Sequence, residues 1–186
     1  GGEVCLVGMI GGDAEGHEAL RLIKAEEGVE GFVVTDAGRP TTLKTRFISN
    51  GQQLLRVDME TSGPASGEVE QRLVRTIRDV AKGAGVILLS DYGKGVVTSA
   101  VIEACRASGA VMIVDSKARS FAKYGAVDIV KPNAAELAHA TDMPTGTDAE
   151  VEAAVALSTS GGGSAAPAPL RRKRPPGGRP QVSASG

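Results

Sequence analysis

A chain of 186 residues with 25 glycines, 3% aromatics and no tryptophan has room for one good core, built from Val, Leu, Ile and Ala rather than from rings. Its net charge of −1 hides an asymmetry: no acidic residue follows Glu152, so residues 1–157 carry all 22 acids and 16 of the 21 bases. An acidic body argues against nucleic acid as the partner, and no apolar run is long enough to span a membrane. Cys5 and Cys105 have no ligand spacing around them, so both are expected as buried thiols in a reducing, cytoplasmic setting. The chain opens on Gly1 without Met or a basic-then-apolar leader and soon enters a strand, as the inside of a longer protein would.

Val4 to Ile10 reads as a strand, followed by the loop Gly11-Gly12-Asp13. Ala14 to Glu27 reads as a helix with Ala19, Leu22 and Ile23 on one face, ended by Gly28. A short strand follows over Gly31 to Thr35. Residues 41–60 differ in kind and predict a β-hairpin about Ser49-Asn50-Gly51. A three-residue loop there, with Gly51 left-handed, puts Leu43, Thr45, Phe47, Leu55, Val57 and Met59 on one face. Lys44, Arg46, Arg56 and Asp58 then share the other, which makes the hairpin a candidate lid or clasp.

Glu68 to Lys82 predicts a helix with Val69, Leu73, Ile77 and Val80 inward. Three short apolar runs come next, Val86–Ser90, Val111–Val114 and Val127–Val130, with a helix near 98–107 between the first two. Such runs read as buried parallel strands, and ligands of open α/β sheets sit outside the carboxyl ends of their strands. Those ends carry Asp91-Tyr92-Gly93-Lys94-Gly95, Asp115-Ser116-Lys117 and Lys131-Pro132-Asn133-Ala134-Ala135-Glu136. Asn133 and Thr147 each start a helix with Glu three residues on, the second running to about Leu157. From Ser158 the text is Gly, Ser, Ala, Pro and Arg without period, which predicts a disordered, low-complexity basic tail over 158–186.

Each polar cluster admits two uses. Asn133 and Glu136 form an ordinary capping box, but at a strand's end the same carboxylate can hold Mg²⁺ through water and the helix start can take phosphate. Asp91 to Gly95 is either a solvated turn or a glycine-rich cradle for an anion. It is no Walker A loop, because Leu88 stands where that loop needs Gly. Asp115 and Lys117 make either a surface ion pair or part of the site. Gly8, Gly11 and Gly12 lack the spacing of a dinucleotide fingerprint, and His17 and His139 have no metal-spaced partner. The Arg171–Arg174 run reads as a solvated cluster.

The stretch from Pro40 through Thr41, Thr42, Leu43, Lys44, Thr45 and Arg46 to Arg56, Val57 and Asp58 resembles the lid strands of ribokinase-like, PfkB-type carbohydrate kinases. Within that family it most resembles the D-glycero-D-manno-heptose 7-phosphate kinase branch. Ser90–Gly95, Val114–Lys117 and Lys131–Glu136 fall in the order of that branch's motifs, although Ser116 replaces the usual Pro. Gly8 to Gly16, with Asp13, is similar to the family's segment near the sugar. The resemblance covers about residues 3–157 and implies an incomplete ribokinase-like three-layer α/β sandwich: a mostly parallel central sheet with a small β lid. It implies ATP-dependent phosphoryl transfer to a sugar phosphate, with ATP and Mg²⁺ as cofactors and a homodimer formed through the lid. Asn133, Ala134, Ala135, Glu136 and Lys117 would serve the nucleotide, with Glu136 reaching the metal through water. Asp13, Arg46, Arg56, Asp91, Lys94 and Asp115 would serve the sugar phosphate. The family's catalytic Asp, expected after a Gly-rich segment, has no counterpart after Gly161-Gly162-Gly163-Ser164; the last Asp is Asp148. A shifted reading frame past about Ser158 would account for that. The alternative is a non-catalytic remnant that binds a sugar phosphate or nucleotide.

Overall fold

The computed structural model describes residues 2–160. β1 (Val4–Ile10) and β2 (Val29–Thr35) pair in parallel, Val4 opposite Val29 and Ile10 opposite Thr35. The helix between them, α1 (Ala14–Ala25), starts where Asp13 Oδ1 accepts from the Gly16 amide at 2.9 Å. Its inward stripe differs from the expected one, for Leu22 stands 54% exposed. Gly16, Ala19, Leu20 and Ile23 turn inward instead, the i, i+3, i+4, i+7 spacing of a helix face. Ile23 lies so close to β2 that a Cβ on Gly31 would come within 2.5 Å of its Cγ2. Cys5 is exposed rather than buried, because among the described residues β1 is laddered only to β2 and its first half is uncovered.

β3 (Leu43–Ser49) and β4 (Gln52–Met59) form the expected hairpin with a different turn. Ser49 pairs with Gln52, so the loop is Asn50-Gly51 alone. Their φ values of 49° and 77° are the two positive angles that a type I′ turn requires. Such a loop would throw charges onto the apolar face, were it not for a bulge. The register shifts between Phe47 and Ile48, leaving Leu54 outside the pairing and restoring the parity. Leu43, Thr45 and Phe47 then face Met59, Val57 and Leu55 as expected, while Lys44 and Arg46 face Asp58 and Arg56.

The remainder alternates α2 (Gly67–Val80), β5 (Val86–Asp91), α3 (Ser99–Arg106), β6 (Val111–Ser116), β7 (Ile129–Val130), α4 (Ala134–Thr141) and α5 (Asp148–Ser160). β5, β6 and β7 pair in parallel in that order. β7 is shorter than expected, and Asp128 just before it spends its carboxylate on the Met112 amide at 2.7 Å. α5 continues through Ser160, so residues 158–160 are helical rather than the start of a tail; the rest of that expected tail lies outside the described residues. The parallel strands fall in two hydrogen-bonded units joined by one core. α2 lies against β1, β2 and α3, and Leu73 and Ile77 bury beside Val34, Leu89, Val101 and Val114. Ile87 and Leu89 point into that core, whereas Val86 and Leu88 on the other face of β5 are exposed.

Candidate functional site

Parallel pairing brings the carboxyl ends of β5, β6 and β7 to one edge, where Asp91 stands opposite Ser116 and Val114 opposite Val130. The Lys117 amide donates to the Asp91 carbonyl at 2.9 Å, which fixes where the Lys117 side chain leaves the sheet. At the next tip Asn133 Oδ1 accepts from the Glu136 amide at 2.9 Å, and Glu136 Oε2 accepts from the Asn133 amide at 2.8 Å. The capping box therefore uses only one carboxylate oxygen. Glu136 Oε1 takes the Lys117 ammonium, so the carboxylate caps the helix and pairs with a cation at once. Burial pulls the Glu136 carboxyl upward, but Lys117 and the Asn133 amide outweigh it and keep the group below the usual carboxylate range. Glu136 in turn raises the Lys117 ammonium. The result is a fixed ion pair beside a helix start, with Lys117 Nζ 5.6 Å from the centre of the Tyr92 ring. Around it opens a shallow depression of ≈ 290 Å³ lined by Lys117, Ala118, Asn133, Ala135, Glu136 and His139. His139 closes one side of it.

Asp91 is engaged inside the protein, at 4% exposure. Its Oδ2 accepts from Lys123 Nζ at 2.6 Å and from Tyr124 Oη at 2.7 Å, and its Oδ1 from the Gly93 amide at 2.8 Å. Burial alone would raise this carboxyl, yet Lys123, Tyr124 and Gly93 hold it below its ordinary value. Asp91 thus braces the turn that carries Lys94 from beneath. Tyr124 is wholly buried and also meets Ser116 Oγ at 2.5 Å, locking two strand tips together.

Lys94 reaches the end of the hairpin, where its ammonium binds Glu60 Oε1. Glu60 Oε2 also takes Lys44 Nζ at 3.0 Å, and Lys44 reaches Asp58 at 3.1 Å. Arg56 Nε lies 2.8 Å from Asp58 Oδ1. The basic face of the hairpin is therefore balanced by its own carboxylates, with Arg46 opposite Arg56 in the ladder. Asp115 lies 3.6 Å from Lys131. Asp13 sits at the foot of the hairpin and accepts from the Thr41 amide at 2.7 Å and from Thr41 Oγ1 at 2.5 Å. Its carboxyl is lowered chiefly by those Thr41 bonds.

The expected residues consequently fall apart: Lys117, Asn133, Ala135 and Glu136 line the depression, Asp13, Lys94, Arg46 and Arg56 lie about the hairpin, Asp91 is buried, and Asp115 pairs with Lys131. Sequence reasoning passed over Arg39, Thr41, Glu60, Lys123 and Tyr124. Glu60 had a signal, since it shares strand parity with Asp58 and so falls on the charged face. The others bind across 24 to 55 positions of sequence, which no local pattern reports.

A β-hairpin standing over charged tips of parallel strands, on a helix-covered sheet, is the architecture of a ribokinase-like protein. The chain belongs to the pfkB family of carbohydrate kinases, whose family model matches residues 1–164. Among curated proteins it is similar to the bifunctional protein HldE of Hyphomonas neptunium, 44% identical over 159 residues, covering 83% of this chain and 32% of that protein. HldE of Caulobacter vibrioides is 41% identical over 160 residues, covering 84% and 32%. The chain thus spans about a third of the length of the curated relatives it matches. Among solved structures, Arabidopsis thaliana ribokinase complexed with ribose and ATP superposes with a TM-score of 0.63 at 25% identity, covering 86% of this chain and 53% of that one. Phosphofructokinase-2 of Escherichia coli shares the fold, with a TM-score of 0.64 at 20% identity over 87% of this chain and 54% of the other.

Proposed function

We propose that this chain serves ATP-dependent phosphoryl transfer to D-glycero-β-D-manno-heptose 7-phosphate, giving the 1,7-bisphosphate on the way to ADP-heptose and lipopolysaccharide core. One observation carries the reading: a cation, a carboxylate and a helix start meet at two adjacent strand tips, in Lys117, Glu136 and Asn133. Lys117 offers its charge to the nucleotide phosphates. The amides of Ala134 and Ala135 have no carbonyl one turn back to bond, so they are free to face an anion. The resemblance of the lid and strand-tip motifs to the heptose 7-phosphate kinase branch supports the heptose, and the ribokinase solved with ATP supports the nucleotide.

Mg²⁺ fits this site in one manner only. Among the described residues no three His, Cys, Asp or Glu side chains are grouped to hold a metal. A lone carboxylate such as Glu136 suits a cation that arrives on phosphates and keeps its waters, and Glu136 would reach it through one of them. Bound there, the ion would neutralise charge developing on the transferred group. On the sugar side Lys94, Arg46 and Arg56 face the anionic substrate, Asp13 and Asp115 hold the approach, and Asp91 acts through its grip on Gly93. The hairpin's exposed apolar face of Leu43, Phe47, Leu55, Val57 and Met59 supports a homodimer formed through it. Among the described residues no helix is long and apolar enough to cross a membrane, and we place the chain in the cytoplasm.

A second reading is a chain that binds a sugar phosphate or nucleotide without transferring the phosphoryl group; within the 186 residues the run Gly161-Gly162-Gly163-Ser164 is followed by no acidic residue. Phosphoryl transfer to a hydroxyl needs a proton acceptor, which the resemblance expects as an Asp after such a run. A coupled ADP-release assay with heptose 7-phosphate, followed by mass detection of the bisphosphate, separates the two. Turnover supports the kinase; micromolar binding of either ligand without product supports the binder. Binding of neither overturns both.

A further inference from the structure

Among the described residues no helix or other strand lies extensively against the hairpin β3–β4, so its pose over the strand tips depends on contacts at its two legs. The leading leg is tied by Thr41 to Asp13, and Thr41 Oγ1 also accepts from the Gly11 amide at 2.8 Å. The trailing leg is tied by the Ala65 amide, which donates to the Gly95 carbonyl at 2.8 Å. One side chain spans all of these pieces. Arg39 stands two residues before Thr41 with its side chain 11% exposed, and its Nε donates to Asp36 Oδ2 at 2.9 Å. Its Nη1 donates to the Lys94 carbonyl at 3.2 Å, and its Nη2 to the carbonyls of Gly63 at 3.1 Å and Pro64 at 3.4 Å. A planar fork of five donors suits this task, and the point charge of lysine does not.

We propose that Arg39 is the pivot of the hairpin: a positioning residue that binds both legs to the turn 92–95, so that the hairpin and Lys94 keep one relative pose. Lys94 is bound on two sides through this arrangement, by Arg39 at its carbonyl and by Glu60 at its ammonium. Loss of the fork frees the trailing leg from the turn while the core beneath, centred on Leu73 and Val114, keeps its packing. The consequence for ligand affinity rests on the proposed function; the mechanical claim does not.

The test compares the full 186-residue chain with Arg39→Lys, Arg39→Gln and Asp36→Asn by hydrogen–deuterium exchange. Segment 60–66, which holds the Ala65 amide, is expected to exchange roughly tenfold or more faster in both Arg39 variants, with a smaller rise in Asp36→Asn and no change across β6. Parental rates in 60–66 overturn the pivot. So does an equal rise across β6, or global unfolding of all three variants, because Arg39 would then be a general stability residue. Titration with heptose 7-phosphate and with ADP adds a second reading: the sugar-phosphate Kd rises about tenfold and the ADP Kd holds. If 60–66 loosens but the parental chain binds neither ligand, the pivot stands and the proposed function falls. If 60–66 loosens and both affinities are unchanged, the claim that the pose serves the sugar is overturned.

Discussion

Replacing Asp91 by Asn changes one atom in a buried polar cluster. The carboxylate accepts on both oxygens, from Lys123 and Tyr124 on one and from the Gly93 amide on the other. An amide accepts on one side only, so it must abandon either Gly93 or the Lys123–Tyr124 pair and press its NH₂ against a donor. Hydrogen bonds to a charged group contribute about 1.5–3 kcal/mol, and orphaned buried donors cost about as much. Lys123 is 40% exposed, so water recovers part of its share. The expected loss is about 2–3 kcal/mol, or roughly a 5–10 °C fall in Tm for a domain of this size. The pH dependence follows from the lowered carboxyl. A group whose folded pKa is depressed stabilises fully above its unfolded value, near 3.9 for Asp, and that contribution fades as pH falls through the folded value. Calorimetry at pH 7 and at pH 3 should therefore show the gap between parent and Asp91→Asn narrowing in acid. A Tm difference below about 2 °C at neutral pH, or a gap that widens in acid, would refute this account of Asp91.

Gly95→Ala should cost at least about 2 kcal/mol, because its φ is 86° and a Cβ would lie 1.9 Å from the Gly63 carbonyl oxygen. Gly83→Ala has nearly the same φ in open space and should cost only about 1 kcal/mol, so chemical denaturation of the pair isolates the clash. Of the two thiols, Cys5 should react with Ellman's reagent in the native chain, whereas Cys105, buried and pushed up to about 11, should react only after unfolding. Equal native rates would contradict that placement. Phe47→Asp, which puts a charge in the middle of the exposed hairpin face, should shift the chain to monomer in sedimentation if the homodimer forms there; an unchanged mass removes that proposal.

Elements governed by neighbours in sequence were legible. The bounds of β1, the capping box at Asn133 and Glu136 and the one at Thr147 and Glu150 each rest on residues three or four positions apart. The hairpin was half legible: alternation gave its faces, but the two-residue turn needed a bulge at Leu54, and a bulge leaves no mark in composition. Leu22 was misplaced because Gly16, not a large residue, marks where α1 lies closest, and small residues are silent in a hydrophobic count. Cys5 was misplaced because burial of a strand depends on what lies beside it, which β1 does not encode. At the site, residue types were legible and partners were not. Nothing near Asp91 announces Lys123 and Tyr124, and nothing near Lys94 announces Glu60.

The most direct test is calorimetric titration of ADP, with Mg²⁺ present, into the parental chain and into Lys117→Ala. The strand-tip site predicts measurable binding by the parent, weakened about tenfold or more once the ammonium beside Glu136 is gone. Equal affinities in the two proteins would put the phosphates elsewhere and contradict the account.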